Sequence, residues 1–82
     1  EAAYIELKVA LSAQLKQCRQ QRNLTQVELA KRLQSNQSRI AKMEAGDPSV
    51  SVDLLIRSLL ALGLTTTDLA RIIAAQPSTA AT

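Results

Sequence analysis

Asn36, Gln37 and Ser38 stand in a row, followed by Arg39 and then by Lys42, four residues after Ser38. Amide, hydroxyl and cationic groups at this spacing suit one kind of chemistry. They donate and accept hydrogen bonds in defined directions and attract anions. They are poorly suited to proton transfer, because none of them titrates near neutral pH. The rest of the chain supplies little to change this. Its 82 residues include no histidine and one cysteine, Cys18. No Cys/His cluster can hold zinc, and no internal disulfide can form. No acid–base constellation is recognisable either. The chemistry is recognition, so neither an enzyme nor a metal or cofactor site is expected.

Charge points the same way. Formal net charge is only +3. Between Lys16 and Lys42, however, seven cations (Lys16, Arg19, Arg22, Lys31, Arg32, Arg39 and Lys42) meet one acid, Glu28, for a net +6. The remainder carries −3. A basic segment joined to an acidic one suits a face turned toward a polyanion. A solvated surface would look the same on charge alone.

The elements that must position these groups are helical. No run alternates as a half-buried strand would, and helical spacing recurs throughout. Five helices are expected. The first spans about residues 3–21, with Tyr4, Leu7, Leu11, Leu15 and Cys18 lining one face. Such a helix is roughly 28 Å long. Ile5 and Val9 fall off that stripe. Cys18 reads as a small buried hydrophobe. The second helix starts at Thr25, which forms a capping box with Glu28, and buries Leu29, Ala30 and Leu33. The third is capped by Ser35 or Asn36 and stopped by Gly46 and Pro48. The fourth runs from a Ser51 cap to Gly63. The fifth follows Thr65 or Thr66 with Leu69, Ile72 and Ile73 facing inward. One domain over residues 1–74 results, with residues 75–82 as a disordered tail. A chain this short buries only about 60–65% of its unfolded surface and packs densely or relies on a partner.

Two short helices joined by a turn of three to four residues form a helix-turn-helix. Crossing at a steep angle, they need a small residue at the contact, and Ala30 occupies that place. Gln26, Leu29, Ala30, Ile40, Glu44 and Gly46, with Arg19 before them and "LLALGL" after, resemble the phage-repressor and Cro-type helix-turn-helix family of the xenobiotic-response-element class. The resemblance spans roughly Leu11 to Ile73. It implies an all-α, five-helix, lambda-repressor-like domain that binds double-stranded DNA, mostly as a two-fold homodimer, with its third helix in the major groove. Arg19 and Glu44 match a pair that meets beneath the motif, so both are expected to be structural. Gln26 matches a residue that bonds a phosphate and braces the one at position 37. One departure is Gln34, where the family often has glycine; a left-handed side chain there costs about 1 kcal/mol.

On the third helix Ile40 and Met43 point to the core while Ser38 and Lys42 lie nearly opposite. Gln37 projects from the first turn. A glutamine amide can pair with adenine, and serine with several base edges. Gln37, Ser38 and Lys42 are therefore expected to read bases, with Ala41 close enough to touch a thymine methyl. Gln26, Asn36 and Arg39 are expected at phosphates, since a helix N-terminus also attracts them. Lys31 and Arg32 read as surface charges.

In the fourth helix, apolar residues spread over roughly 160°, more than the usual stripe, and Leu54 lies outside even that arc. Leu54, Ile56 and Leu60, with Ile5 and Val9, are candidates for a subunit interface. The expected function is a repressor. Alternatives are an antitoxin that binds a toxin and autoregulates its operon, or a coactivator that bridges proteins without reading DNA. No signal peptide or membrane span is evident, and a reducing, cytoplasmic setting is expected.

Overall fold

The computed structural model describes residues 2–75. Over that span the chain is all-helical, with α1 at Ala2–Gln21, α2 at Gln26–Arg32, α3 at Gln37–Ala45, α4 at Val52–Ala61 and α5 at Thr66–Ala74. The all-α reading therefore stands, and α1 begins one residue earlier than its spacing suggested. The expected tail lies outside the described residues except for Ala75.

Four of the five helices begin on a side chain that accepts from an otherwise unpaired backbone N–H. Thr25 accepts from the Glu28 N–H at 3.1 Å, and the Glu28 carboxylate accepts from the Thr25 N–H at 2.8 Å. Thr65 and Asp68 repeat that reciprocal pair at the start of α5. Ser51 caps α4. At α3 the cap is Asn36, whose Oδ1 accepts from the Arg39 N–H at 2.8 Å. The Ser35 hydroxyl is shielded from water and has no hydrogen-bond partner among the described residues.

The helix ends are just as regular. After α1, α2, α3 and α4 one residue turns left-handed: Asn23 at φ 55°, Gln34 at 54°, Gly46 at 67° and Gly63 at 99°. The next N–H reaches back over the last turn, Leu24 to the Arg19 carbonyl, Ser35 to Ala30, Asp47 to Lys42 and Leu64 to Leu59, at 2.8–3.1 Å. These are Schellman closures, which satisfy the free carbonyls and turn the chain sharply. Two are made by glycine. Gln34 makes one with a full side chain, so the departure seen in the sequence sits at a left-handed residue.

Helix α1 packs against α3, α4 and α5, while α2 packs on α3. The core joins Leu11, Leu15 and Cys18 of α1 to Leu29, Ala30, Ile40, Met43, Val50, Leu55, Leu59 and Leu69. Two inward assignments are corrected. Tyr4 is exposed, because the first turn of α1 is left uncovered: Leu7 packs only partly against the core and full burial begins at Leu11. Ile73 is also exposed. The short α5 reaches the core through Leu69 and partly through Ile72, whereas Ile73, one turn beyond Leu69 on the same face, lies past the reach of the core. In α4, Leu55 and Leu59 are fully buried, and Val52, Leu54 and Ile56, with Leu62 just after the helix, pack partly against the core. The apolar remainder on this helix is thus Leu60.

Candidate nucleic-acid interface

Helix α3 has two faces. Ile40 and Met43 are buried. Gln37, Ser38, Arg39 and Lys42 are exposed, as is the cap Asn36, and Ala41 is half-buried. The four turn residues Leu33 to Asn36 connect α2 to this helix. Ala30, 3% exposed, is part of the packing beneath it.

A line of hydrogen bonds runs from the interior to the exposed tip of α3. Arg19 Nε lies 2.6 Å from Glu44 Oε2, and Arg19 Nη2 lies 3.0 Å from Glu44 Oε1. The third guanidinium nitrogen, Nη1, donates to the Leu24 carbonyl at 2.8 Å. Glu44 Oε1 also accepts from Gln26 Nε2 at 3.2 Å. Gln26 Oε1 in turn accepts from Gln37 Nε2 at 2.7 Å. Residues of α1, α2 and both ends of α3 thus share one network. The fork of Arg19 matches the carboxylate in two-point geometry. Hydrogen bonding to Glu44 raises the Arg19 guanidinium above its ordinary pKa, against the opposing effect of burial.

The remaining candidate contacts lie along α3 outside this network, with Asn36 bonded to the Arg39 N–H as its cap. Asn36, Ser38, Arg39 and Lys42 line one side of an open cleft of about 360 Å³, and Ser49, Val50 and Leu54 line the other. Lys31 and Arg32 are exposed in the last turn of α2. Of the interface candidates, Ile5, Val9 and Leu60 are exposed, whereas Leu54 and Ile56 lie partly against the core. Among the described residues no group of three or more Cys, Asp or Glu side chains is placed to hold a metal ion. No described helix is long and apolar enough to cross a membrane.

Two features escaped the sequence reading. Asp47 Oδ1 accepts from the Ser49 N–H at 2.8 Å and from the Ser49 hydroxyl at 2.6 Å, which holds the carboxylate below its usual pKa and shapes the α3–α4 loop. An Asp two residues before a Ser is a turn signal that could have been read locally. Lys8 Nζ donates to the Asp47 carbonyl at 2.7 Å across 39 positions, and nothing local announces it.

A family model described as helix-turn-helix matches residues 15–72, well over half of the chain. The match takes in all of α2, α3 and α4, the C-terminal part of α1 and most of α5. No curated protein and no solved structure gives a significant match.

Proposed function

The chain belongs to the Cro/C1-type helix-turn-helix family, a DNA-binding regulatory family and not an enzyme family, and from that premise we propose that it is a sequence-specific transcriptional repressor. In this reading two copies act as a homodimer, each laying α3 in the major groove. The observation that carries it is the network from Arg19 through Glu44 and Gln26 to Gln37. An exposed amide is held in one orientation before DNA arrives, so little side-chain freedom is lost on binding. A glutamine so held can make a two-point pair with adenine. Ser38 and Lys42 read neighbouring base edges, and Ala41 lets the groove wall approach.

Gln26, Asn36 and Arg39 fix register on the phosphates. The Gln26 NH₂ gives one hydrogen to Glu44 and has a second to offer. Asn36 uses its oxygen to cap α3, which leaves its NH₂ for a phosphate. Ile5, Val9 and Leu60, exposed and apolar, support a subunit interface, with Leu54 and Ile56 at its edge. The same surface supports a second reading, an antitoxin that covers it with a toxin. A protein that copurifies with the native chain and masks Ile5 and Val9 would favour that role.

Selecting duplexes from a random pool tests the primary reading. It predicts an enriched site with two-fold symmetry and half-sites about 34 Å apart. Binding should also weaken steeply as salt rises. A pool that gains no sequence bias, or a flat salt response, would remove the reading.

A further inference from the structure

The C-terminal end of α3 is held from outside the motif. Two residues on one face of α1, Lys8 and Ser12, meet it. Lys8 Nζ donates to the Asp47 carbonyl at 2.7 Å in a partly buried contact. One turn along, Ser12 is 3% exposed and its Oγ lies 3.6 Å from where a Cβ on Gly46 would stand. Gly46 and Asp47 form the closure of α3, with the Gly46 N–H on the Met43 carbonyl and the Asp47 N–H on the Lys42 carbonyl. A cation at a helix C-terminus also complements the dipole there. Lys8 precedes the stretch that matches the family, which begins at residue 15.

We propose that Lys8 is a positioning residue for DNA recognition, and that it works by clamping the closure that carries Lys42 and the α3–α4 loop. This rests on the reading of α3 as the recognition helix. The Gln26–Gln37 bond holds the first turn of α3; at the other end the Arg19–Glu44 pair holds the last turn and Lys8 adds a hold on the closure that follows it. Both ends of a nine-residue helix are then set before contact. Without Lys8 the Asp47 carbonyl turns to water and the last turn, with Lys42, samples orientations that do not fit the groove. Lys8 itself does not touch DNA.

The test compares Lys8→Met and Lys8→Arg with the native chain. The probes are a duplex enriched from a random pool by the native chain and a scrambled duplex of equal length. Losing one charge-assisted bond that preorganises the site should weaken binding to the enriched duplex roughly five- to tenfold. Binding to the scrambled duplex should change less than about twofold, and the salt slope should stay the same, because no phosphate contact is lost. Lys8→Arg should restore most of the difference. Equal losses on both duplexes with a shallower salt slope would overturn the proposal and make Lys8 a phosphate contact. A lower melting temperature with unchanged discrimination would overturn it in favour of a purely structural role. A readout without DNA stands beside these. Amide exchange at Gly46 and Asp47 should accelerate in Lys8→Met, and unchanged protection would also overturn the clamp. Should the native chain enrich no duplex at all, the repressor reading falls, and amide exchange still decides the clamp.

Discussion

Glu44 Oε2 lies 2.6 Å from Arg19 Nε, with the carboxylate side chain 4% exposed and the guanidinium side chain 13% exposed. An acid on the helix expected to face DNA would be unfavourable if it pointed outward. It points inward, and its charge is matched there by a two-point contact from α1. The pair ties α3 to α1 and leaves Glu44 Oε1 to receive Gln26.

Removing one partner should cost far more than removing both. Arg19→Met strands a shielded carboxylate, and such losses run to about 3–5 kcal/mol. A domain of this size gains or loses about 4–8 °C in melting temperature per kcal/mol, so Arg19→Met should melt at least about 12 °C lower. Combining it with Glu44→Leu should recover a large part of the loss. Thermal unfolding followed by circular dichroism would settle this. A double variant no more stable than Arg19→Met would show that the network, and not the stranded charge, sets the cost.

Gln34 offers a gain in stability. Its φ of 54° is in the region that glycine adopts freely and other residues do not. Gln34→Gly relieves that strain while adding some freedom to the unfolded chain. The net gain should be about 0.5–1 kcal/mol, or about 2–8 °C in melting temperature. Asn23 sits in the same conformation at the end of α1, but asparagine tolerates it better, so Asn23→Gly should gain less. Denaturant titrations of the two variants side by side would test the order.

Acid should loosen two helix starts. Hydrogen bonds from Thr25 hold the Glu28 carboxyl below its usual pKa, and those from Thr65 do the same for Asp68. A carboxylate with a depressed folded-state pKa contributes stability that is present above its unfolded pKa. That contribution is lost as pH falls through the lower folded value. Stability should therefore be level near neutrality and decline below about pH 4 as the unfolded state takes up protons first. In Glu28→Gln the decline should be shallower, because one of the linked protons is gone. Melting temperatures between pH 7 and pH 2 would show it, and parallel declines in both proteins would exclude Glu28 as a contributor.

Much of this fold was legible because its instructions are local. Thr25 with Glu28, Ser51, and the left-handed Gly46 each act within one turn, so sequence alone placed them. The choice between Ser35 and Asn36 as the α3 cap was not local. Either side chain could accept the amide; in the structure Asn36 does, while Ser35 gives its backbone N–H to the closure of α2. Tyr4 and Ile73 were misassigned for a related reason. Periodicity reports which face of a helix is apolar, not how far its neighbours extend along it. The Arg19–Glu44 pairing was reachable only through resemblance, and the Lys8–Asp47 contact was not reachable at all.

Base reading by the braced tip of α3 can be followed by selecting duplexes in parallel with the native chain, Gln37→Ala and Lys42→Ala. Each variant should lose preference at one or two base pairs of the half-site and keep the rest, with about 1–3 kcal/mol lost on the native site. Gln26→Ala should relax the same base pair as Gln37→Ala, because it removes the brace. Identical enriched sequences from all four proteins, with weaker binding to every duplex alike, would contradict it and leave α3 in contact with phosphates alone.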